Sequence, residues 1–153
     1  MQNAPVAKPY RLGPVRRAVN VLVAGMVRLG IGGRSTYLLT TTGRKTGQER
    51  TTPVTLVETN AERWLVAPYG TVAWVHNVRA HPEVSLRRGR RTETLRAEEI
   101  GPESAGPVLQ LYVRNVPVTA PHFDAKRDDP VERFVAEAPR HPVFKLVATS
   151  QAP

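Results

Sequence analysis

The side chains best suited to binding chemistry are concentrated in residues 40–54, with the sequence TTTGRKTGQERTTPV. Two glycines bracket Arg44 and Lys45 between strand-like segments, a spacing that permits a tight turn. In such a turn, backbone amides and two cationic side chains can converge on a phosphate or a carboxylate. Arg50 would enter the next strand beside them. The segment by itself leaves a solvated basic hairpin open as the alternative.

Residues further along the chain add an aromatic ring and an amide to this basic turn. Residues 67–70, Ala-Pro-Tyr-Gly, end a short strand-like run. Trp74 and Asn77 follow at positions i and i+3 of a predicted helix, so they share one of its faces. An aromatic ring and an amide beside a basic turn can hold a planar ligand and its polar tail. Pro53 has no N–H for a strand ladder, which indicates an edge or a place where another molecule lies against the backbone.

Several common catalytic chemistries have no support in the sequence. The chain has no cysteine, which excludes thiolate nucleophiles, thiolate metal sites and disulfides. Lys45 is preceded by arginine and not by glycine, so a phosphate-binding P-loop is not predicted. The four histidines show none of the spacings typical of zinc ligands, and we expect no metal. These patterns identify no catalytic residue.

Length and charge limit the class of protein. The chain has 153 residues, 41% of them apolar, which is enough for one domain with one core. Its net charge of +9 predicts an anionic partner, and composition alone leaves nucleic acid, anionic lipid and a phosphorylated cofactor open. The arginines of residues 87–91 have no interleaved aromatic residues for base stacking, so we expect no nucleic-acid partner.

The N-terminal part of the chain has its own pattern. Residues 1–13 predict a flexible arm, and residues 14–150 a single domain. Residues 14–29 predict an amphipathic helix with a flank of arginines, and two roles stay open for it: packing on its own domain, or peripheral contact with anionic membrane. Its longest apolar stretch is about half of the roughly 20 residues that span a bilayer. No secretory signal is visible, so we expect a cytoplasmic protein.

The elements that must position the basic turn follow from periodicity and from the glycine and proline breaks. Six strand-like runs are predicted at residues 35–42, 50–59, 64–67, 83–88, 90–100 and 143–148. Helices are predicted at residues 72–80, 102–115 and 129–138, with a proline-broken loop between the last two. The order has no strict β-α-β alternation, which favours a small mixed or barrel-like sheet over a doubly wound one.

The two site motifs together carry a resemblance to a known family. The pattern L-x-T-x-G-R-K-[ST]-G-x-x-R-x-x-P, followed by W-x-x-N-x-x-A-x-P, resembles the deazaflavin-dependent nitroreductases, also called F420H2-dependent quinone reductases. The match covers about residues 15–149. It implies an α+β, mainly β fold: a split β-barrel of the flavin-reductase and pyridoxamine-oxidase type, with an N-terminal amphipathic helix.

The resemblance also implies a cofactor and its place. Coenzyme F420 is a deazaflavin with a phospholactyl-oligoglutamate tail, and its reduced form donates a hydride. By resemblance, the phosphate and acidic tail would be held by Arg44, Lys45, Thr46 and Arg50. The deazaflavin would be lined by Thr51, Pro53, Val54, Thr55, Ala67, Pro68, Tyr69, Gly70, Trp74 and Asn77.

The acceptor and the assembly are implied more broadly. The family reduces quinones, nitroaromatic compounds or similar lipophilic acceptors, and Tyr69 and Tyr112 would bind the acceptor through their hydroxyls. Val118, His122 and Phe123 stand where related enzymes have further tyrosines. An F420-binding or lipid- or fatty-acid-binding protein of the same fold, with little turnover, is the alternative. Related barrels occur as monomers and as homodimers.

Overall fold

A computed structural model of the chain describes residues 35–149. The predicted arm at 1–13 and the predicted helix at 14–29 lie outside the described residues. The described residues form six strands: β1 (Thr36–Thr42), β2 (Glu49–Glu58), β3 (Arg63–Val66), β4 (Glu83–Arg88), β5 (Arg91–Glu99) and β6 (Val143–Ala148). Three α-helices accompany them: α1 (Ala73–Ala80), α2 (Pro102–Asn115) and α3 (Val131–Glu137).

The strands close into an antiparallel barrel in the order β1-β2-β3-β6-β5-β4. Each strand and helix lies within about two residues of its predicted position, which confirms the barrel-like sheet. One difference is found at Pro117–His122, where a 3-10 helix replaces the predicted loop. Its two prolines fit a short turn of this kind because it needs few backbone N–H donors.

The barrel interior is filled by one apolar cluster. Alternation along each strand turns every second residue inward, so Leu39, Leu65 and Phe144 meet in the centre and are almost fully buried. Helix α1 closes one end of the barrel, because Val75 and Val78 point from it into the same cluster. Burial of these side chains is the main favourable term for the barrel.

A second core lies on the outer face of the barrel. Val57 and Val66 point outward and are covered by α2 and α3, which supply Leu109 and Phe134. Both faces of β2 are therefore buried at its end. Among residues 35–149, α2 and α3 cover this side of the barrel and α1 closes one of its ends.

The barrel is incompletely paired beside the basic turn. Residues 49–55 of β2 pair with β1, whereas β3 begins its pairing with β2 only at Leu56. Pro53 stands in this part, opposite Leu38 of β1. Within residues 35–149, one side of β2 therefore has no strand partner here, which agrees with the edge position that Pro53 predicted.

Gly106 sets the distance between α2 and α3. A Cβ atom at this position would clash with Cγ2 of Val135 and would lie 3.1 Å from the Val135 backbone nitrogen. We expect Gly106→Ala to lower the free energy of unfolding by about 1 kcal/mol or more, because overpacking outweighs alanine's helix propensity. Urea unfolding measures the change. Ser104→Ala, at an exposed position of the same helix, is the control and should be neutral or slightly stabilising; an equal gain in both variants would contradict the close packing.

Candidate active site

The turn between β1 and β2 is closed by its own backbone. Gly43 N–H donates to the carbonyl oxygen of Gln48 at 2.7 Å, and Gly47 N–H donates to the carbonyl of Gly43 at 2.9 Å. Gly47 has φ +75°, a conformation that favours glycine. The turn is therefore tight, as the spacing of the two glycines predicted, and Arg44 and Lys45 within it are exposed.

Asn77 of α1 joins this turn to the helix. Its Oδ1 accepts hydrogen bonds from the backbone N–H of Arg44 at 3.1 Å and from Arg44 Nη1 at 3.3 Å. Its Nδ2 donates to Oγ1 of Thr41 at 3.2 Å. Asn77 is 4% exposed, so these bonds satisfy a buried amide. One side chain thus holds the turn, the end of β1 and the Arg44 guanidinium in a fixed arrangement.

A cavity of about 450 Å³ lies between the turn, β2 and the start of α1. Helix α1 begins without a side-chain cap, so the N–H groups of its first turn contribute a partial positive charge at the cavity wall. Together with the cations of the turn, this wall suits an anion. The lining residues are Thr41, Gly43, Arg44, Lys45, Thr46, Arg50, Thr51, Thr52, Val72, Ala73, Trp74 and Asn77.

The structure brings together about half of the predicted cofactor residues. Arg44, Lys45, Thr46, Arg50, Thr51, Trp74 and Asn77 line this one cavity. The predicted site residues did not include Thr41, Gly43, Thr52, Val72 and Ala73, which also line the cavity. Val72 and Ala73 begin the predicted helix, so their place in the sequence could have indicated them.

Other predicted cofactor residues lie elsewhere. Val54 and Ala67 belong to the inner core, and Thr55 is buried with its hydroxyl unpaired among the described residues. Pro53 sits beside Thr52 in β2 without lining the cavity.

The loop at residues 67–70 leads from β3 toward the cavity. Pro68 accepts a hydrogen bond, Gly70 has φ +91°, and Val72 N–H donates to the carbonyl of Gly70 at 2.9 Å. Tyr69 is 61% exposed, and its ring stands edge-on against His122 at 4.6 Å between centroids. Residues 67–70 therefore do not line the cavity, but they lead directly to Val72, which does.

Tyr112 lies in the outer core and not at the cavity. It is 4% exposed, and its ring packs 6.4 Å from that of Phe123. Burial raises the pKa of its phenol, and the neighbouring Tyr69 phenol adds to the shift. Tyr112 is therefore a neutral packing residue near Tyr69, and the structure does not bring it to the cavity as an acceptor-binding group.

A buried acid and histidine fasten the same loop to the outer core. Glu137 accepts from the backbone N–H groups of Asp124 at 2.8 Å and Ala125 at 2.7 Å, and His141 Nε2 lies 2.9 Å from its Oε2. His141 Nδ1 lies 2.9 Å from the Pro68 carbonyl, which can only accept, so Nδ1 carries the proton. Glu137 and His141 stand four residues apart, a spacing that could have indicated an interacting pair in the sequence. The sequence does not show that the pair is buried.

The fold agrees with what comparison with known proteins finds. The sequence model of the F420H(2)-dependent quinone reductase family matches residues 15–138. The chain therefore belongs to this family. It is an F420-dependent oxidoreductase with F420H2 as its cofactor, as the two motifs predicted.

Solved structures support the same assignment. An F420-H2 dependent reductase, FDR-A, is 28% identical with a TM-score of 0.52, covering 74% of this chain and 94% of its own. A domain-swapped dimer is 25% identical with a TM-score of 0.53, covering 86% and 98%. A candidate pyridoxamine 5'-phosphate oxidase from Listeria innocua, 13% identical with a TM-score of 0.54 over 87% and 94%, shares the fold alone. These matches confirm the split barrel.

Two further findings concern residues 35–149 only. This part of the chain has no helix long and apolar enough to cross a membrane. It also has no group of three or more histidine, aspartate or glutamate side chains that could hold a metal ion.

Glu137 provides a test of the loop's attachment. Glu137→Ala leaves Nε2 of His141 and the backbone N–H groups of Asp124 and Ala125 without their partner in a largely buried region, and we expect the free energy of unfolding to fall by about 3–5 kcal/mol. Urea unfolding measures the loss. Glu132→Ala, at an exposed position of the same helix, should change it by less than about 0.5 kcal/mol. A small loss in both variants would show that the pair does not anchor the loop.

Proposed function

We propose that the cavity between the β1–β2 turn and α1 binds F420H2, and that the enzyme passes its hydride to a quinone, a nitroaromatic compound or a similar lipophilic acceptor. The observation that carries the proposal is the placement of three cationic side chains and one indole on a single cavity of suitable size. Arg44, Lys45 and Arg50 supply the charge, and Trp74 supplies the ring.

The two ends of the cavity match the two ends of this cofactor. The phosphate and acidic tail need cations, which the turn presents at the solvent side. The N-terminal amides of α1 add to the same field. The planar deazaflavin needs an apolar wall, and Trp74 is half-buried against Phe144 of the inner core, with ring centroids 5.9 Å apart. The residues present therefore fit the group.

Arg44 has a fixed position before any ligand arrives. Its backbone N–H and its guanidinium both donate to Asn77. Nη1 is therefore held in place, while the other guanidinium nitrogens stay available to an anion. Holding the side chain in advance reduces the rotamer entropy lost on binding. Lys45 and Arg50 have exposed side chains, and they would close on the tail when it is bound.

The bound cofactor supplies the hydride, and the protein's contribution is binding, orientation and exclusion of water. The residues found to line the cavity include no histidine and no carboxylate, so a general acid or base would have to come from outside it. Tyr69 is the accessible hydroxyl on the adjoining loop, and we propose it as the donor to the acceptor oxygen. Tyr112 is too deeply buried to share that role.

The alternative of a lipid or fatty-acid carrier has less support. The barrel interior is packed with side chains such as Leu39, Leu65 and Phe144, so an acyl chain would have to lie outside it. Monomer and homodimer both remain open, and one relative forms a domain-swapped dimer. Peripheral contact with anionic membrane through residues 14–29 of a cytoplasmic protein is part of the proposal and rests on their sequence alone.

Titration with F420, followed by its fluorescence, tests the binding site. We expect saturable binding, weakened about 10- to 100-fold in Arg44→Gln and in Lys45→Gln, because each removes a charge-assisted contact worth about 1.5–3 kcal/mol. Arg114→Gln removes the same charge from an exposed position on α2 and should leave the dissociation constant unchanged. Absence of saturable binding, or equal weakening in the control, would contradict the proposed site.

Asn77→Asp keeps the hydrogen bonds that hold the turn and changes only the charge beside it. Aspartate can still accept from Arg44, and the Thr41 hydroxyl can turn round to donate to it, so the free energy of unfolding should change by less than about 1 kcal/mol. The added negative charge faces the cavity, and F420 should bind at least about tenfold more weakly. Retained affinity in this variant would place the acidic part of the cofactor elsewhere.

Turnover distinguishes the reductase from the carrier. Oxidation of F420H2 in the presence of menadione should be catalysed by the wild type and lost in proportion to cofactor affinity in Lys45→Gln. Native mass spectrometry of the purified chain reports any lipid that remains bound. Bound lipid with F420H2 oxidation no faster than in buffer would favour the carrier.

A further inference from the structure

Two aromatic rings from distant parts of the chain meet on the protein surface. The rings of Tyr69 and His122 stand 4.6 Å apart between centroids, with 87° between their planes. This is the edge-to-face arrangement that aromatic pairs prefer. Tyr69 is 61% exposed and His122 is exposed as well, so neither ring is held in place by a surrounding core.

The backbone on the Tyr69 side of the pair is fixed by hydrogen bonds. Gly70 N–H donates to the Ala67 carbonyl at 3.2 Å, which closes a turn around Pro68 and Tyr69. The Pro68 carbonyl lies 2.9 Å from Nδ1 of His141. The point from which the Tyr69 side chain leaves the backbone is therefore set by the fold.

The backbone on the His122 side is fixed by the same buried imidazole. Phe123 follows His122 and is 3% exposed, and its ring stacks on that of His141 with 4.0 Å between centroids and 22° between planes. His141 thus contacts the residue before Tyr69, through the Pro68 carbonyl, and the residue after His122, through the Phe123 ring. One buried side chain therefore sets how far apart the two surface rings begin.

The Tyr69 side chain itself has few restraints. Within residues 35–149, its hydroxyl has no hydrogen-bond partner, and its one aromatic contact is with His122. Exposed side chains change rotamer within picoseconds to nanoseconds. The contact with His122 therefore selects one ring orientation from several, while the hydroxyl stays available to a ligand.

The pair stands beside the proposed F420 cavity without belonging to its wall. Tyr69 precedes the cavity-lining Val72 by three residues, so their Cα atoms lie within about 11 Å of one another. Neither Tyr69 nor His122 lines the cavity. An acceptor must lie next to the bound cofactor to receive a hydride, and this pair stands next to the cofactor's proposed place.

We propose that His122 is a positioning residue for the reduction, because its ring holds the Tyr69 ring in the orientation from which the phenol donates a hydrogen bond to the acceptor oxygen. The inference rests on the proposed function, in which Tyr69 is that donor. Negative charge develops on the acceptor oxygen as the hydride arrives, and a donor that is fixed in advance stabilises this charge without reorganisation. His122 acts through Tyr69 and has no contact of its own with the F420 cavity.

Steady-state oxidation of F420H2 with menadione as acceptor tests this role. His122→Ala should lower kcat by about 2- to 10-fold, the change in population that one aromatic pair can produce. The dissociation constant of F420 should not change, since His122 lies outside the cavity. His122→Phe keeps a ring at this position and should restore kcat to within about twofold of the wild type. If His122→Phe loses as much as His122→Ala, the proposal is overturned.

His81→Ala is the matched control for the loss of an imidazole. His81 is exposed and follows α1, and no aromatic ring contacts it among the described residues. Its kcat and its affinity for F420 should equal those of the wild type. A fall in kcat as large as that of His122→Ala would show that the effect is not specific to the ring pair.

A double-mutant cycle shows whether His122 acts through the Tyr69 hydroxyl. Tyr69→Phe keeps the ring and removes the hydroxyl, and kcat should fall by about tenfold. In this background His122→Ala should cause no further loss, because the two residues act as one unit. Additive losses would overturn the proposal. A wild type that does not oxidise F420H2 contradicts the proposed function as well, whereas a kcat that depends on the Tyr69 hydroxyl but not on His122 overturns this inference alone.

The ring contact is also measured without turnover. In NMR spectra of the full chain, the Cδ2 and Cε1 protons of His122 should show ring-current shifts in the wild type and in Tyr69→Phe. These shifts should be lost in Tyr69→Ala, which has no ring at this position. Equal shifts in Tyr69→Ala and the wild type would show that the rings do not meet in solution and would overturn the proposal.

Discussion

The buried amide of Asn77 is the contact on which the active-site end of the barrel depends. It joins α1 to the β1–β2 turn and, through Thr41, to the end of β1, so three elements share one polar side chain. Because both its acceptor and its donor are used, any shift of the helix would leave a buried polar group unpaired. The position of Arg44 at the cavity is therefore a consequence of how the helix closes the barrel.

The inner and outer cores each fix a different element beside the turn. The inner core fixes α1 through Val75 and Val78, and so fixes the depth of Trp74 and Asn77. The outer core holds the loop at residues 67–70 through the Pro68 carbonyl and the His141–Glu137 pair. The proposed F420 cavity lies where the elements held by these cores meet strand β2, whose first half is paired on one side only among the described strands.

Positive charge is distributed unevenly along the chain. Residues 1–34 carry six basic and no acidic residues, so they account for +6 of the net +9, and the rest of the protein carries +3. In the described barrel the cations are concentrated at its two ends, at the β1–β2 turn and at the β4–β5 hairpin. Several arginines elsewhere in the described barrel pair with carboxylates, as Arg79 does with Glu99 and Arg140 with Asp124. The concentration of cations at the β1–β2 turn, more than the total charge, favours an anionic ligand there.

The sequence by itself determined the elements and the family, because periodicity, glycine and proline breaks and the spacing of the two motifs are local properties of the chain. It could not place residues whose role depends on register or on which faces become covered. Tyr112 became a core residue once α2 and α3 packed on the barrel, and Val54 turned inward while Thr51 faced the cavity. The Asn77–Arg44 bond exists only because α1 packs across the end of the barrel beside the β1–β2 turn, and no local pattern records that geometry.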